Sequence, residues 1–323
     1  MKKMFYFFTI FYLLLFFFTA CDTKIIKSYN LLTSIDSTPP KLKYIESNSP
    51  YSVEIVFDEI LSSKENIKIS FNNTDVDNFV IKNNKITYYR KDKLIPGEKY
   101  LIKIKAEDLN GNSTFINSYV YTKNNNRANL LISEVSTKGT SANCDKVELV
   151  VTKSGSLAGI VVSDGFNDNY NDRYIFPDIY VNEGEFIVIA FKETQESDVF
   201  ISENKNGLSS NNGCILILED PSFNSPVIDC LIYSNKISPN CEGFASEDVL
   251  NTAKTLASIG LWENIFPLSQ AAVDTTFETS TRTINRKFKN FYFIDTDSCE
   301  DFYTTVTRGD TFGYENNKEE YIN

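Results

Sequence analysis

The residues of this chain that could do chemistry are mainly carboxylates, because its 323 residues include no histidine. The absence of histidine excludes Ser-His-Asp and Cys-His catalysis, histidine general bases and histidine metal ligands. Carboxylate pairs, lysine nucleophiles and metal sites with oxygen ligands remain. The net charge of -11 also argues against a nucleic-acid partner, because affinity for nucleic acid comes mostly from neutralising phosphates.

Two acidic clusters have the oxygen ligands that calcium takes. Asp164, Asp168 and Asp172 alternate with asparagines in the first cluster, and Asp295 and Asp297 belong to the second. The spacing does not fit an EF-hand loop, since Gly165 comes directly after Asp164 and not at the sixth position of a loop. We therefore interpret both clusters as solvated loops and expect no cofactor, with calcium as the alternative.

Besides these clusters there is a pair of carboxylates, Glu134 and Glu148, which lie in two separate apolar stretches of the chain. The two side chains could act as the acid and base of a glycosidase. The favoured interpretation is that they accept hydrogen bonds from buried backbone groups. We therefore predict no catalytic residue and no enzymatic activity.

Five cysteines follow Cys21, and none belongs to a Cys-x-x-Cys pair that would indicate zinc or redox chemistry. Cys214 and Cys230 could face each other across a hairpin only if the strand register pairs them directly. Cys241 and Cys299 flank an insertion and the segment that follows it, and they are a possible disulfide that would staple this part of the chain. An odd number of cysteines leaves at least one thiol free or paired between chains.

The N-terminus has the pattern of a signal peptide. Lys2 and Lys3 precede an apolar run over 5–18, which is shorter than the roughly 20 residues that span a bilayer. Thr19-Ala20-Cys21 then resembles a lipobox, at which lipoprotein signal peptidase cuts before an acylated cysteine. The resemblance implies a signal peptide over 1–20, acyl chains such as palmitate on Cys21, and a tether over 21–37. The alternative is ordinary secretion.

Two prolines, Pro39 and Pro40, follow the tether, and short apolar strands come next at 8–15-residue spacing, which is typical of an antiparallel sandwich. The predicted strands are 53–57, 67–71, 79–81, 86–89, 100–104 and 119–121. Four motifs then resemble a bacterial immunoglobulin-like domain over 38–123. They are Asp-x-x-x-Pro at 36–40, Ile-Val-Phe-Asp-Glu at 55–59, Leu-Ile-Pro-Gly-Glu-Lys-Tyr at 94–100 and Ala-Glu-Asp-Leu-Asn-Gly-Asn at 106–112.

A second series of strands follows the polar break at 123–127. The predicted strands are 130–135, 147–151, 159–162, 185–191, 214–218 and 227–233. Leu-Leu-Ile-Ser-Glu-Val at 130–135, Lys-Val-Glu-Leu at 146–149 and the ending at 281–316 resemble the lamin tail domain, an immunoglobulin-like sandwich, over 128–316. The resemblance implies an all-β chain with two consecutive immunoglobulin-like sandwiches, the second with an insertion at 234–280.

The insertion has the pattern of one short helix. Ser246 is a typical N-cap, apolar residues follow at helical spacing, and Gly260 is a typical stop. The only tryptophan, Trp262, comes next. We expect the helix and Trp262 to pack over one end of the sandwich, and partner binding through an exposed Trp262 is the alternative.

The resulting hypothesis is a non-enzymatic lipoprotein of the bacterial cell envelope. Its anchor is the lipid on Cys21, and its ligand is a protein or a glycan. The alternatives are a structural scaffold of the envelope and a carboxylate-dependent hydrolase. Only the analogy between domain types supports binding. The absence of a catalytic motif supports the non-enzymatic role.

Overall fold

The computed structural model describes residues 36–140, 143–167 and 169–322. They form two compact units: one contains residues 36–45, 54–88 and 101–118, and the other contains 46–53, 89–100 and 119–322. The domain boundaries at 38–123 and 128–316 stay a prediction. No helix among the described residues is long and apolar enough to cross a membrane.

Eight strands form two four-stranded sheets between residues 42 and 121. The strands are β1 (Leu42–Ser49), β2 (Ser52–Phe57), β3 (Lys68–Phe71), β4 (Thr74–Val76), β5 (Phe79–Lys82), β6 (Lys85–Tyr89), β7 (Lys99–Glu107) and β8 (Ser113–Tyr121). The sheet orders are β1-β2-β6-β5 and β4-β3-β7-β8. All six strands predicted in this region are confirmed, and β1 and β4 are additional.

Alternation of side chains explains how this region is held together. Val53, Ile55 and Phe57 of β2 are all fully buried, and the residues between them include partly exposed Glu54. Burial of a large apolar side chain contributes about 1.5–3 kcal/mol, so one face of each strand supplies the stability. The rings of Phe71 and Tyr88 join β3 to β6, with centroids 5.5 Å apart.

Fifteen strands follow between residues 129 and 304. They are β9 (Asn129–Ser136), β10 (Lys146–Lys153), β11 (Gly155–Ser156), β12 (Val161–Phe166), β13 (Asn169–Ile175), β14 (Tyr180–Val181), β15 (Phe186–Ala190), β16 (Phe200–Ile201), β17 (Asn212–Leu218), β18 (Val227–Ser234), β19 (Val273–Asp274), β20 (Ile284–Arg286), β21 (Phe288–Lys289), β22 (Tyr292–Phe293) and β23 (Phe302–Thr304). The main sheets have the orders β16-β15-β10-β9-β20-β23 and β13-β12-β17-β18-β19. The pairs β11-β14 and β21-β22 are separate two-stranded sheets.

The two main sheets share one apolar core. Ile132 of β9, Leu149 of β10, Ile215 of β17 and Leu231 of β18 are each fully buried in it. Strands β9 and β10 place Glu134 opposite Glu148 in the antiparallel register. The chain is therefore all-β and built of sandwich layers, as the sequence predicts.

The insertion forms the predicted helix, Glu247–Ser258, with Ser246 at its N-cap and Gly260 at a φ of 79° after its end. Leu250, Ala253 and Leu256 bury one face of it in the same core. Trp262 is 3% exposed and donates its indole N–H to the Ala271 carbonyl. The packing interpretation of Trp262 is therefore correct. A short helix, Leu268–Ala271, and three 3-10 turns, Lys64–Asn66, Cys241–Gly243 and Cys299–Asp301, complete the elements.

The oxygen-rich segment after Asp164 is a β-hairpin and not a loop, which corrects the sequence interpretation. Asn169–Ile175 is strand β13, and it pairs with β12 at the edge of the five-stranded sheet. An edge strand needs few apolar residues, because one of its sides faces solvent. The asparagines at 169 and 171 are exposed, and this polarity concealed the strand.

Candidate functional site

A cavity of about 540 Å³ opens where the β12–β13 hairpin, the segment 209–212 and the start of the helix Glu247–Ser258 meet. We call it the polar cavity. Its lining is rich in hydroxyl, amide and carboxylate side chains: Asp164, Asn169, Tyr170, Asn171, Ser209, Ser210, Asn211, Asn212, Ser246, Asp248 and Thr252. Cys214, Phe244 and Val249 contribute apolar surface. Its volume lies within the range of small-molecule sites.

Asp164 is the buried charge-bearing group of the polar cavity. Its carboxylate accepts hydrogen bonds from the Ser209 backbone N–H at 2.7 Å, the Ser209 hydroxyl at 2.9 Å and the Asn171 amide at 3.1 Å. Burial raises the pKa of Asp164, and these hydrogen bonds act in the opposite direction. Asp164 therefore fixes the two walls of the cavity relative to each other.

Ser246 and Asp248 bring the first turn of the helix to the cavity. The side chain of Ser246 makes no capping hydrogen bond, so its hydroxyl is available to a ligand. Asp248 is exposed and lies 3.5 Å from the amide of Asn169. The N-terminal end of a helix carries a partial positive charge, which favours oxygen atoms of a ligand.

Among the described residues, the predicted calcium residues do not form a group of three carboxylates that could hold a metal ion. The side chain of Asp172 is fully buried and accepts from the Ser202 hydroxyl and the Asn206 N–H, so its oxygens have protein partners. Asp295 pairs with Arg286 at 3.0 Å. Burial and the neighbours Asp295 and Asp301 raise the pKa of Asp297. Asp168 lies outside the described residues.

A different set of three carboxylates offers oxygen ligands to a cation. One oxygen from each of Asp36, Glu59 and Asp108 lies within 4.8 Å of the others. Burial and the charges of Asp108 and Asp36 raise the pKa of Glu59. Both oxygens of Asp108 already accept from the turn, from Asn110 N, Asn112 N and the Asn112 amide. Asp108 therefore shapes the turn.

Glu134 and Glu148 lie side by side in the six-stranded sheet, and neither lines the polar cavity. Glu134 accepts from the Thr311 N–H at 3.0 Å and from the Thr283 hydroxyl at 2.6 Å. Glu148 accepts from the Gly313 N–H at 2.5 Å. Burial, and to a lesser degree the charge of Glu134, raises the pKa of Glu148 to about 8. The C-terminal residues cover the pair, which is the geometry of carboxylates that satisfy buried donors.

An ion pair that the sequence did not single out lies in the core of the same region. One terminal guanidinium nitrogen of Arg286 donates to both carboxylate oxygens of Asp229, at 2.7 and 2.8 Å, and both side chains are nearly inaccessible to solvent. Its Nε donates to the Ile132 carbonyl. Burial raises the pKa of Asp229 to about 6, although Arg286 opposes this. The sequence gives only a weak signal that Arg286 is buried. Arg286 lies two residues after the apolar Ile284, so the two side chains face the same side of one strand.

The five cysteines in the described part of the chain are free thiols, including Cys241 and Cys299. The possible disulfide between these two residues stays a prediction. In the β17–β18 register, Cys214 faces Ile232 and Cys230 faces Leu216, so Cys214 and Cys230 are not directly paired. The predicted lipidation site, Cys21, lies outside the described residues.

Comparisons with known proteins give one family and distant structural likenesses. No curated protein matches the chain. Among solved structures, it is similar to a DUF4876 family protein from Bacteroides thetaiotaomicron VPI-5482, at 13% identity and a TM-score of 0.35, covering 76% of this chain and 91% of that one. A second likeness is to the N-terminal part of the bacterial S-layer protein SbsC, at 15% identity and a TM-score of 0.24, covering 57% and 45%. A third is to SGBP-B of the Bacteroides ovatus mixed-linkage glucan utilization locus, at 12% identity and a TM-score of 0.18, covering 57% and 50%.

A family model matches the second strand series of the chain directly. This model, TP_1001_2nd, is described as a protein second domain and matches residues 128–210 and 197–307. Together these matches span more than half of the chain, and they include both main sheets of the second strand series. The chain therefore belongs to the TP_1001_2nd family.

Proposed function

We propose that this chain is a non-enzymatic lipoprotein of the bacterial cell envelope that binds a glycan in the polar cavity. The lining of the cavity by hydroxyl, amide and carboxylate groups carries the proposal. Its immunoglobulin-like and lamin-tail-like sandwiches would act as stalk and head, and no cofactor would be required. The lipid on Cys21 would hold the protein at the membrane.

A glycan fits the chemistry of the cavity better than an apolar ligand does. Sugar hydroxyls both donate and accept hydrogen bonds, and so do the asparagine amides and serine hydroxyls of the lining. Tyr170 adds an aromatic surface beside Asn169 and Asn171, and aromatic residues commonly dominate the free energy of recognition. A buried acid such as Asp164 can orient a ligand without acting as a catalyst.

The cavity proposal predicts that Tyr170→Ala and Asp248→Ala each weaken glycan binding at least about tenfold, as expected for loss of one central contact. A glycan array probed with the full chain in detergent would identify the sugar class, and calorimetry would give the affinities. Tyr180→Ala is the matched control, since Tyr180 is 60% exposed and lies outside the cavity lining. Equal binding by all three variants would contradict the proposed site.

The anchor proposal predicts that cells fed labelled palmitate incorporate the label into the unchanged chain and not into Cys21→Ser. More than one acyl chain holds a protein stably on a membrane, because each buried methylene contributes about 0.8 kcal/mol. Cys299→Ser is the control and should be labelled as the unchanged chain is. Incorporation of palmitate without Cys21 would contradict lipidation at this residue.

Digestion of intact cells with a protease distinguishes the binding role from the alternatives. A protein that is cleaved is displayed on the surface and can meet an external glycan. A protein that survives until the envelope is broken, and that crosslinks to a stable partner, is instead an envelope scaffold. Hydrolysis of a glycan that is lost in Glu148→Gln would support the hydrolase alternative and contradict the non-enzymatic role.

A further inference from the structure

A second cavity, of about 420 Å³, lies beside the β21–β22 hairpin and is distinct from the polar cavity. We call it the aromatic groove. Its walls are rings from Phe186, Phe288, Phe291, Tyr292 and Phe293. The rings of Phe288 and Phe293 lie 4.9 Å apart at 53°, and those of Phe186 and Phe293 lie 6.4 Å apart at 71°. The inclined rings form walls and do not stack into a closed core.

The tip of the hairpin exposes two of these rings to solvent. Phe291 is 91% exposed and Tyr292 is 74% exposed. Asn290 and Phe291 form the turn with φ of 53° and 70°, and a bulky residue such as Phe291 rarely adopts a positive φ. A two-residue hairpin turn of this type requires a positive φ at both of its central residues, so this turn fixes Phe291 at the tip. The Ile294 N–H donates to the Lys287 carbonyl at 2.8 Å and closes the base of the hairpin.

The charged side chains that line the groove are all negative. Glu183 and Glu315 line it, and no lysine or arginine is among its described lining residues. Lys318 lies 3.4 Å from Glu315, but both side chains are more than half exposed, and such a pair contributes little. The aromatic faces are also electrostatically negative. Both the rings and the carboxylates therefore attract a cation.

We propose that the aromatic groove binds the quaternary ammonium group of a choline-type ligand. A cation over an aromatic face within about 6 Å of its centroid is attracted by the ring quadrupole, and aromatic cages recognise methylated ammonium groups in this way. The two carboxylates compensate the positive charge at the rim. This site goes beyond the glycan proposal, because it has a different lining and a different ligand chemistry.

A primary ammonium group fits the groove less well than a quaternary one. A lysine ammonium has three N–H donors, each of which must find an acceptor when it leaves water. The groove offers aromatic faces, the aliphatic side chains of Val150 and Val151, and only the Thr152 hydroxyl, the Tyr292 hydroxyl and two rim carboxylates as polar side-chain groups. A trimethylammonium group has no N–H to satisfy, so the apolar walls do not penalise it.

The test is titration of the full chain in detergent with free choline, followed by proton NMR of the choline methyl groups. The expected result is saturable binding that weakens at least tenfold in Phe291→Ala and in Tyr292→Ala. Phe223→Ala is the matched control, since Phe223 is 66% exposed and lies outside the groove. It should bind choline as the unchanged chain does. Absence of saturable binding, or equal binding by all of these variants, would overturn the proposal.

Three further ligands separate the sources of affinity. The neutral isostere 3,3-dimethylbutan-1-ol should bind at least tenfold more weakly than choline, and equal binding would show a merely apolar groove and overturn the proposal. A lysine-rich peptide that binds more tightly than choline would overturn the choice of a quaternary ammonium. An acyl anchor inserts into any vesicle, so the vesicle test, run without detergent, compares phosphatidylcholine with phosphatidylethanolamine vesicles. Tighter binding to phosphatidylcholine that is lost in Phe291→Ala would place the ligand on a lipid surface. Equal binding to both lipids, while free choline binds, would place it on a soluble molecule, and both results support the site. If Phe291→Ala and Tyr292→Ala lose choline binding and keep glycan binding, the aromatic groove is a separate site from the polar cavity.

Discussion

Arg286→Ala is expected to lower the free energy of unfolding by about 3–5 kcal/mol, because removal of one partner of a buried ion pair leaves the other charge uncompensated. Asp229 would stay in the core with the backbone N–H groups of Ile132 and Cys230 as its donors. The pKa of Asp229 would rise further, because in the unchanged chain Arg286 opposes the effect of burial. The loss should therefore be larger at pH 8, where the carboxylate must ionise, than at pH 5.

Chemical denaturation of the full chain, followed by the fluorescence of buried Trp262, measures this effect. Lys254→Ala is the control, since Lys254 and Glu242 form a partly exposed pair at 2.8 Å that contributes at most about 1 kcal/mol. The double change Arg286→Met with Asp229→Leu should recover most of the loss, because apolar residues can replace a buried pair. A loss below about 1 kcal/mol in Arg286→Ala would contradict this account.

The strands with a strong apolar pattern could be predicted from the sequence, and the strands with a weak pattern could not. Strand β10 is a run of buried residues, and its position followed directly from Val147–Val151. Strand β1 contains Lys43 and Tyr44, which are both exposed, so its sequence lacks the alternation of a half-buried strand. Such strands form because a neighbouring strand offers backbone partners, and this information lies elsewhere in the chain.

The candidate site was only partly predictable for a similar reason. The sequence singled out Asp164 through its acidic neighbours, but the cavity also requires Ser209 and Asp248, which are distant in the chain. The same limit applies to Arg286, whose partner Asp229 lies 57 residues away. Cross-strand register decides these contacts, and a shift of one residue would reverse the side that each residue faces.

Glu148→Gln is expected to stabilise the protein above pH 7 and to flatten its dependence on pH. Burial raises the pKa of Glu148 from 4.5 to about 8, and it raises the pKa of Glu278 to about 8 as well. The folded state therefore holds more protons than the unfolded state between these values, so the contribution of these groups to stability is fully present below pH 4.5 and is lost as pH rises to about 8. Between these pH values, each of the two carboxyl groups lowers the free energy of unfolding by up to about 1.4 kcal/mol per pH unit.

The amide introduced by Glu148→Gln would keep an acceptor for the Gly313 N–H, while the charge beside Glu134 disappears. Urea denaturation at pH 5, 6, 7 and 8 should thus show a gain for Glu148→Gln that grows with pH, to on the order of 2–4 kcal/mol at pH 8. Glu203→Gln is the matched control, since Glu203 is exposed and its profile should follow that of the unchanged chain. Parallel profiles for Glu148→Gln and the unchanged chain would mean that Glu148 ionises in the fold without penalty. The C-terminal residues that cover this carboxylate would then have to admit water to it.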